Sequence, residues 1–273
     1  MTIATVMVYV DAEQKAEELV RVARDAATKF GASMIGVSAL AVPRPVVAEG
    51  VVIQAATADD VKRMKARLAA KEDWFRNVVG LPVEKAEWRW DIEDPTAFLA
   101  NEARAADLVV MKSGYKSADQ YHDIDPAEAI LRMGRPAILV PEHVSELKAD
   151  RIMVGWKDTR EARIAVLHAL PFLAKASEVT IIELCLADEQ DVARRRVQDV
   201  AKYLSLRGAK CRTEVRVHTA EADAVHLLRL ANAADADLIV TGAYGHSRLG
   251  EWMFGGMTRG LLKDASCCLM MSH

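Results

Sequence analysis

Five of the chain's fourteen glycines fall between residues 241 and 256, in "TGAYGHSRLGEWMFGG". Glycine weakens helix and strand interiors, so this crowding marks backbone that turns tightly or lets something approach closely. The stretch follows the apolar run "ADLIV" and precedes "MTRGLLKDASCC". Gly242 is thus placed directly after a strand, and the chain must re-enter a helix near residues 255–258. A helix start presents unpaired N–H groups and the positive end of the dipole, which suits an anion. Gly242 and Gly245 would let the loop adopt φ > 0 and bring amides against phosphate oxygens that a Cβ would hold off. His246, Arg248 and Arg259 carry further nitrogen donors nearby. Glycine-rich turns without any ligand have the same composition, so spacing leaves both readings open.

Other groups with chemical potential are less coherent. The terminal "CCLMMSH" offers sulfur and imidazole, but it reads as a last buried strand. Alternation then sends Cys267, Leu269 and Met271 to one face and Cys268 and Met270 to the other, so these ligands do not converge. The seven histidines share no metal-ligand spacing, and His168 inside a helix reads as packed. In "DIEDP" and "DQYHDIDP" the acids read as turns, with Asp94 and Asp125 capping helices that begin at Pro95 and Pro126. No GxSxG, GxxxxGK[ST] or GxGxxG is present, which removes the chemical parts of a serine hydrolase, a P-loop NTPase or a dehydrogenase.

The elements that must position the glycine loop come in two similar sets. "IATVMVYVD" and "RIMVGWKD" each read as a strand ending in an acid, Asp11 or Asp158, followed by an alanine-rich helix and a second strand. Long charged helices follow, "TADDVKRMKARLAAKEDWFRNVV" and "EQDVARRRVQDVAKYLSLRG", then the strands "VEKAEWRWD" and "CRTEVRVHT". "AADLVVMKSGY" matches "DADLIVTGAYG", and each set closes with a helix and strand. Strands alternating with helices require parallel pairing and helices on both sheet faces. The expected fold is α/β, with a five-stranded, doubly wound parallel sheet in each half. The expected boundaries are residues 1–141 and 151–273, with the polar stretch 142–150 as linker. Trp88 and Trp90 alternate with charged neighbours and are expected to pack against the partner half or subunit.

Composition excludes several partners. The chain has 273 residues, net charge −3 and pI near 6.2, with no Lys/Arg-rich tail, which argues against nucleic acid. No apolar stretch reaches the roughly 20 residues of a membrane helix, and the start "MTIATVMVYVDAEQ" lacks a basic signal region, so a cytoplasmic protein is expected. Four cysteines without a CxxC are expected as reduced thiols.

Gly242-x2-Gly245-x9-Gly255, the acid in "VGWKDTREAR" and the two similar halves resemble the universal stress protein family, in the manner of its tandem members. The resemblance implies two Rossmann-like domains of the adenine nucleotide alpha hydrolase kind, ATP or another adenine nucleotide as ligand, and Mg²⁺ where Asp158 assists it. It places Asp158 near the adenosine, Leu184 beside the base, and Gly242, Gly245 and Gly255 around the phosphates; the Gly256 N–H and Thr258, two residues later, complete the candidate binding residues. Gly256 departs from the family pattern, which has Ser or Thr there. A lost hydrogen bond to a charged group costs about 1.5–3 kcal/mol, so weakened binding is expected. The first half has Lys112 opposite Gly242 and Tyr115 opposite Gly245, with Asp119, Asp123 and Asp125 nearby, so one nucleotide per chain is expected. The resemblance further implies pairing through the last strand, satisfied internally as a pseudo-dimer of the halves or between chains as a homodimer. The rival functions are a stress protein that acts by protein contacts alone and a slow ATPase.

Overall fold

The structure is a computed structural model describing residues 2–43, 45–48, 51–54, 56–114, 123–243 and 256–273. The first half runs β1 (Thr5–Tyr9), α1 (Glu17–Phe30), β2 (Ser33–Ala39), β3 (Val46–Ala48), β4 (Val51–Gln54), α2 (Ala58–Val79), β5 (Ala86–Asp91), α3 (Pro95–Glu102), β6 (Leu108–Lys112), α4 (Pro126–Met133) and β7 (Ala137–Val140). The second runs β8 (Arg151–Trp156), α5 (Arg160–Leu173), β9 (Glu178–Cys185), α6 (Gln190–Ser205), β10 (Cys211–Val217), α7 (Asp223–Ala233), β11 (Leu238–Gly242), α8 (Gly256–Asp264) and β12 (Cys268–Ser272).

Ten strands form one sheet in the order β10-β9-β8-β11-β12-β7-β6-β1-β2-β5. Within this ten-stranded sheet, pairing is parallel except where β12 meets β7 antiparallel, with Leu269 opposite Leu139, Met270 opposite Ile138 and Met271 opposite Ala137. The two halves therefore fuse edge to edge, and neither of these two strands is left with a free ladder. The first half also carries the hairpin β3–β4. It was not legible as a hairpin because "VVAEGVVIQ" lacks the alternation of a half-buried strand.

The strands read as near-continuous apolar runs because both sheet faces are covered. On one face Val6, Val8, Val110, Ile138, Val154, Val240 and Met270 pack under α1, α2, α5 and α6. On the other, Met7, Val109, Leu139, Met153, Ile239 and Met271 pack under α3, α4, α7 and α8. Cys268 and Met270 face one core and Leu269 and Met271 the other, so alternation of the terminal strand holds. Each fully buried Val, Leu or Met side chain contributes about 1.5–3 kcal/mol. Both cores run uninterrupted across the β7–β12 seam. Phe30 of α1 meets Phe172 of α5 edge-on at 4.8 Å, and Leu147 and Ala149 in the connection between halves are buried.

Helix starts follow local chemistry. Asp94 accepts from the Ala97 N–H ahead of α3, and Asp125 accepts from Ala127 and Glu128 ahead of α4, each with proline at the first helical position. The tryptophans lie elsewhere than expected. Trp88 packs on Phe75 of α2 at 5.3 Å and donates its indole N–H to the Leu68 carbonyl, while Trp90 packs partly buried near Leu68. Since β5 is the far edge of the sheet, both stay inside the first half. Gly36 makes room for this stack, because a Cβ there would lie 2.6 Å from the Trp88 ring.

Candidate functional site

Within each half the strand order reverses beside the first strand: β2 lies on one side of β1 and β6 on the other, and β9 and β11 flank β8 likewise. Ligands of open parallel sheets settle outside the carboxyl ends at this switch point. A crevice opens at both.

Register decides which residues correspond. Val6 pairs with Leu108, and Ile152 pairs with Leu238. Asp107 accepts from the Ala4 and Thr5 N–H groups, while Asp237 accepts from Asp150 and Arg151. Both observations equate Ala4 with Asp150 and Thr5 with Arg151. Counting along the strands, Asp11 corresponds to Lys157 rather than to Asp158. The two strand-end acids, Asp11 and Asp158, thus stand one residue apart in register, not at equivalent points as their sequence pattern suggests.

The second crevice encloses about 280 Å³. Its floor is the end of β8, Gly155 and Trp156, with Thr241 and Gly242 of β11 and Leu184 of β9 beside it and exposed Lys157 just beyond the strand. Thr159 and Glu161 of the α5 start, Met257 and Thr258 of the α8 start, and the hydrogen-bonded pair His218–Asp223, 2.7 Å apart, close the walls. Of the residues singled out from sequence, Leu184, Gly242 and Thr258 come together here. Gly256 opens α8, with open space where a Cβ would be. Gly245 and Gly255 lie outside the described residues, as do His246 and Arg248. Asp158 does not line the crevice: its side chain is half exposed and paired with Arg163.

Gly242 has a structural reason of its own. A Cβ there would lie 2.6 Å from the Ala162 nitrogen and from the Glu161 carbonyl carbon. The first turn of α5 therefore rests against the end of β11, and only glycine leaves room for it. In the first half Lys112 stands at this point, and α1 begins at Glu17, three residues later in register than α5. There the Asp11 carboxylate accepts from the Glu13 and Gln14 N–H groups and holds the chain in a turn, which clears space for the lysine.

The first crevice is the larger, at about 360 Å³, and its chemistry differs. Tyr9, Asp11, Lys112 and Asp123 line it. Burial pushes the Asp11 carboxyl above its usual range, with Asp123 adding to the rise and the two N–H donors opposing it. Burial, reinforced by Asp11, likewise holds the Tyr9 hydroxyl well above its ordinary value. Asp125 is committed to capping α4, and Tyr115 and Asp119 lie outside the described residues.

Sequence reasoning missed Trp156, Lys157, Glu161 and the His218–Asp223 pair. Lys157 carried no signal of its own: the Asp107/Asp237 match in "ADL" aligns β6 with β11, and only the hydrogen bonds of those two acids carry the alignment over to β1 and β8. The others become neighbours only when α5 and α7 dock at the switch point. His168 is half-buried and hydrogen-bonded to Ser272 Oγ at 3.0 Å; burial and then Arg135 lower its pKa. Among the described residues no group of three or more His, Cys, Asp or Glu side chains converges for a metal, and no helix is long and apolar enough to cross a membrane.

Residues 148–273 match the model of the universal stress protein family. No curated protein matches the sequence significantly. The fold is similar to the crystal structure of a universal stress protein from Archaeoglobus fulgidus DSM 4304, with TM-score 0.75, 14% identity, and 98% of this chain and 95% of that chain covered. It is also similar to a functionally unknown protein from Pseudomonas aeruginosa PAO1, with TM-score 0.60, 12% identity, and 99% and 92% of the two chains covered. At such identities the likeness shows the fold.

Proposed function

We propose, from the match of residues 148–273 to the universal stress protein family, that the second-half crevice binds an adenine nucleotide, one per chain, as a ligand sensed rather than consumed. The observation that carries the reading is the crevice itself. It sits at the switch point, beneath the N-terminus of α8, with Lys157 at its mouth. Backbone N–H groups at a helix start and a lysine beside them favour a phosphate group. The volume is near the lower end of small-ligand sites, which run from about 300 Å³ upward.

The phosphate end is built differently from the family pattern. Gly256 supplies an N–H but no hydroxyl, Thr258 lies two residues further into α8, and Lys157 stands where the first half has an acid. Charge from Lys157 offsets part of the lost hydroxyl contact. Asp158 is turned to Arg163, so a Mg²⁺ ion arriving with the phosphates would take its ligands from them and from water.

The first crevice would not take a polyphosphate, because Asp11 and Asp123 face it. The halves would act as an internal pseudo-dimer about the β7–β12 seam, with residues 1–141 as the partner of 151–273. One observation favours a second reading, a stress protein working through protein contacts alone: the bareness of Gly242 is explained by α5 without any ligand. Calorimetry with ATP and AMP separates the two. One site per chain supports the nucleotide reading; no heat and no shift in melting temperature at millimolar nucleotide supports the other.

A further inference from the structure

Glu161 lines the second crevice, is 4% exposed, and its carboxyl has no hydrogen-bond or ion-pair partner among the described residues. Trp156, which also lines the crevice, is 8% exposed, and its indole N–H is without an acceptor among the described residues. Buried polar groups are almost always paired, because an unpaired one forfeits its hydration for nothing. A carboxylate is the most costly group to leave in this condition. Here an orphaned acceptor and an orphaned donor share the wall of one cavity, against a strand end fixed by Gly242.

The first crevice is built differently at both points. The register that equates Asp11 with Lys157 puts Val10 where Trp156 stands, and the first-turn acids of α1 that line the first crevice, Glu17 and Glu18, are exposed where Glu161 is buried. A buried, unpaired acid with an indole beside the same crevice is therefore a property of the second site. Packing does not require Glu161 either, since its backbone and Cβ make the contact with Gly242 and any side chain would supply those.

We infer that Glu161 and Trp156 read the non-phosphate part of the ligand, with the Glu161 carboxylate accepting hydrogen bonds from sugar hydroxyls. This rests on the nucleotide reading above and adds a specificity to it. A carboxylate repels phosphate, so the ligand lies with its anionic end toward Lys157 and the α8 start and its hydroxyls toward α5. Two carboxylate oxygens suit a vicinal diol, which offers two donors side by side. A site built around a buried acceptor discriminates strongly against a ligand that lacks the matching donor, because the acceptor is then left unpaired.

The test is calorimetric titration of ATP, 2′-deoxy-ATP and 3′-deoxy-ATP into wild type, Glu161→Gln and Glu161→Ala, with the melting temperature of each free protein as a second readout. Wild type should bind ATP about 10-fold or more tighter than either deoxy form. Glu161→Gln should lose most of that preference and melt higher than wild type when free, since it removes a buried unpaired charge. Glu161→Ala should bind all three alike. Equal binding of ATP and both deoxy forms by wild type overturns this inference and leaves the nucleotide reading intact. Variants that keep the wild-type preference also overturn it. Wild type that binds none of the three removes both.

Discussion

Asp11 and Lys157 stand at the same step beyond the same strand in two halves of one sheet, with opposite charge. Inverted charge at one register point gives the two crevices different chemistry, and the chain beyond it differs as well, since α1 starts three residues later in register than α5. The acid is buried and has its pKa raised; the lysine is exposed at the mouth of its crevice.

Lys157→Ala should weaken ATP binding about 5-fold, the scale of one exposed charge contact, and should flatten the dependence of affinity on salt. Calorimetry at two ionic strengths reads both. Affinity unchanged in low salt would remove Lys157 from the phosphate end.

Gly242→Ala should destabilise the free protein by about 2 kcal/mol or more, because its Cβ meets backbone atoms of α5 that cannot rotate away. Lys112→Ala at the corresponding point of the first half should stay within about 0.5 kcal/mol. Urea unfolding of the two variants makes the comparison. Equal stabilities would mean that α5 yields at no cost.

Asp11 gives a pH dependence whose sign follows from burial. Its folded-state pKa is raised above the ordinary carboxylate value of 3.8, so its protonated form is the better fit to the fold. The stabilisation it contributes is fully present below that ordinary value and is lost as pH rises through the raised one. Asp11→Asn, whose side-chain oxygen still accepts from Glu13 and Gln14, should melt higher than wild type at pH 7. The gap should close as pH falls toward 4. A gap that widens on acidification would show the ionised carboxylate to be the favoured form.

The thiols should be slow. Burial pushes Cys267 and Cys268 up to about 12, and burial raises Cys185 and Cys211 as well. Thiolate is the reactive species, so a disulfide reagent at pH 8 should titrate all four only after unfolding. Rapid reaction of Cys268 in the native protein would contradict the packing of β12.

Much of the architecture was legible because it rests on local periodicity. The apolar runs, the helix caps at Asp94 and Asp125, and the alternation through Cys267–Met271 each depend on neighbours along the chain. The α/β class and the similarity of the halves follow from those runs. The β3–β4 hairpin lacked alternation, and Trp88 and Trp90 were assigned to the wrong partner because a strand's place in the sheet is not written in its residues.

The candidate site divides the same way. Sequence alone determined that a glycine-rich loop follows a buried strand in the second half and that the first half has Lys112 there instead. Only the tertiary structure decided that Lys157, not Asp158, replaces Asp11, that Gly242 is bare because α5 leans on it, and that Glu161 and Trp156 line one cavity without partners among the described residues. The reason is that hydrogen-bond register and helix docking are set by contacts between residues far apart in the chain, and a shift of one residue at a strand end changes which side chain faces the crevice.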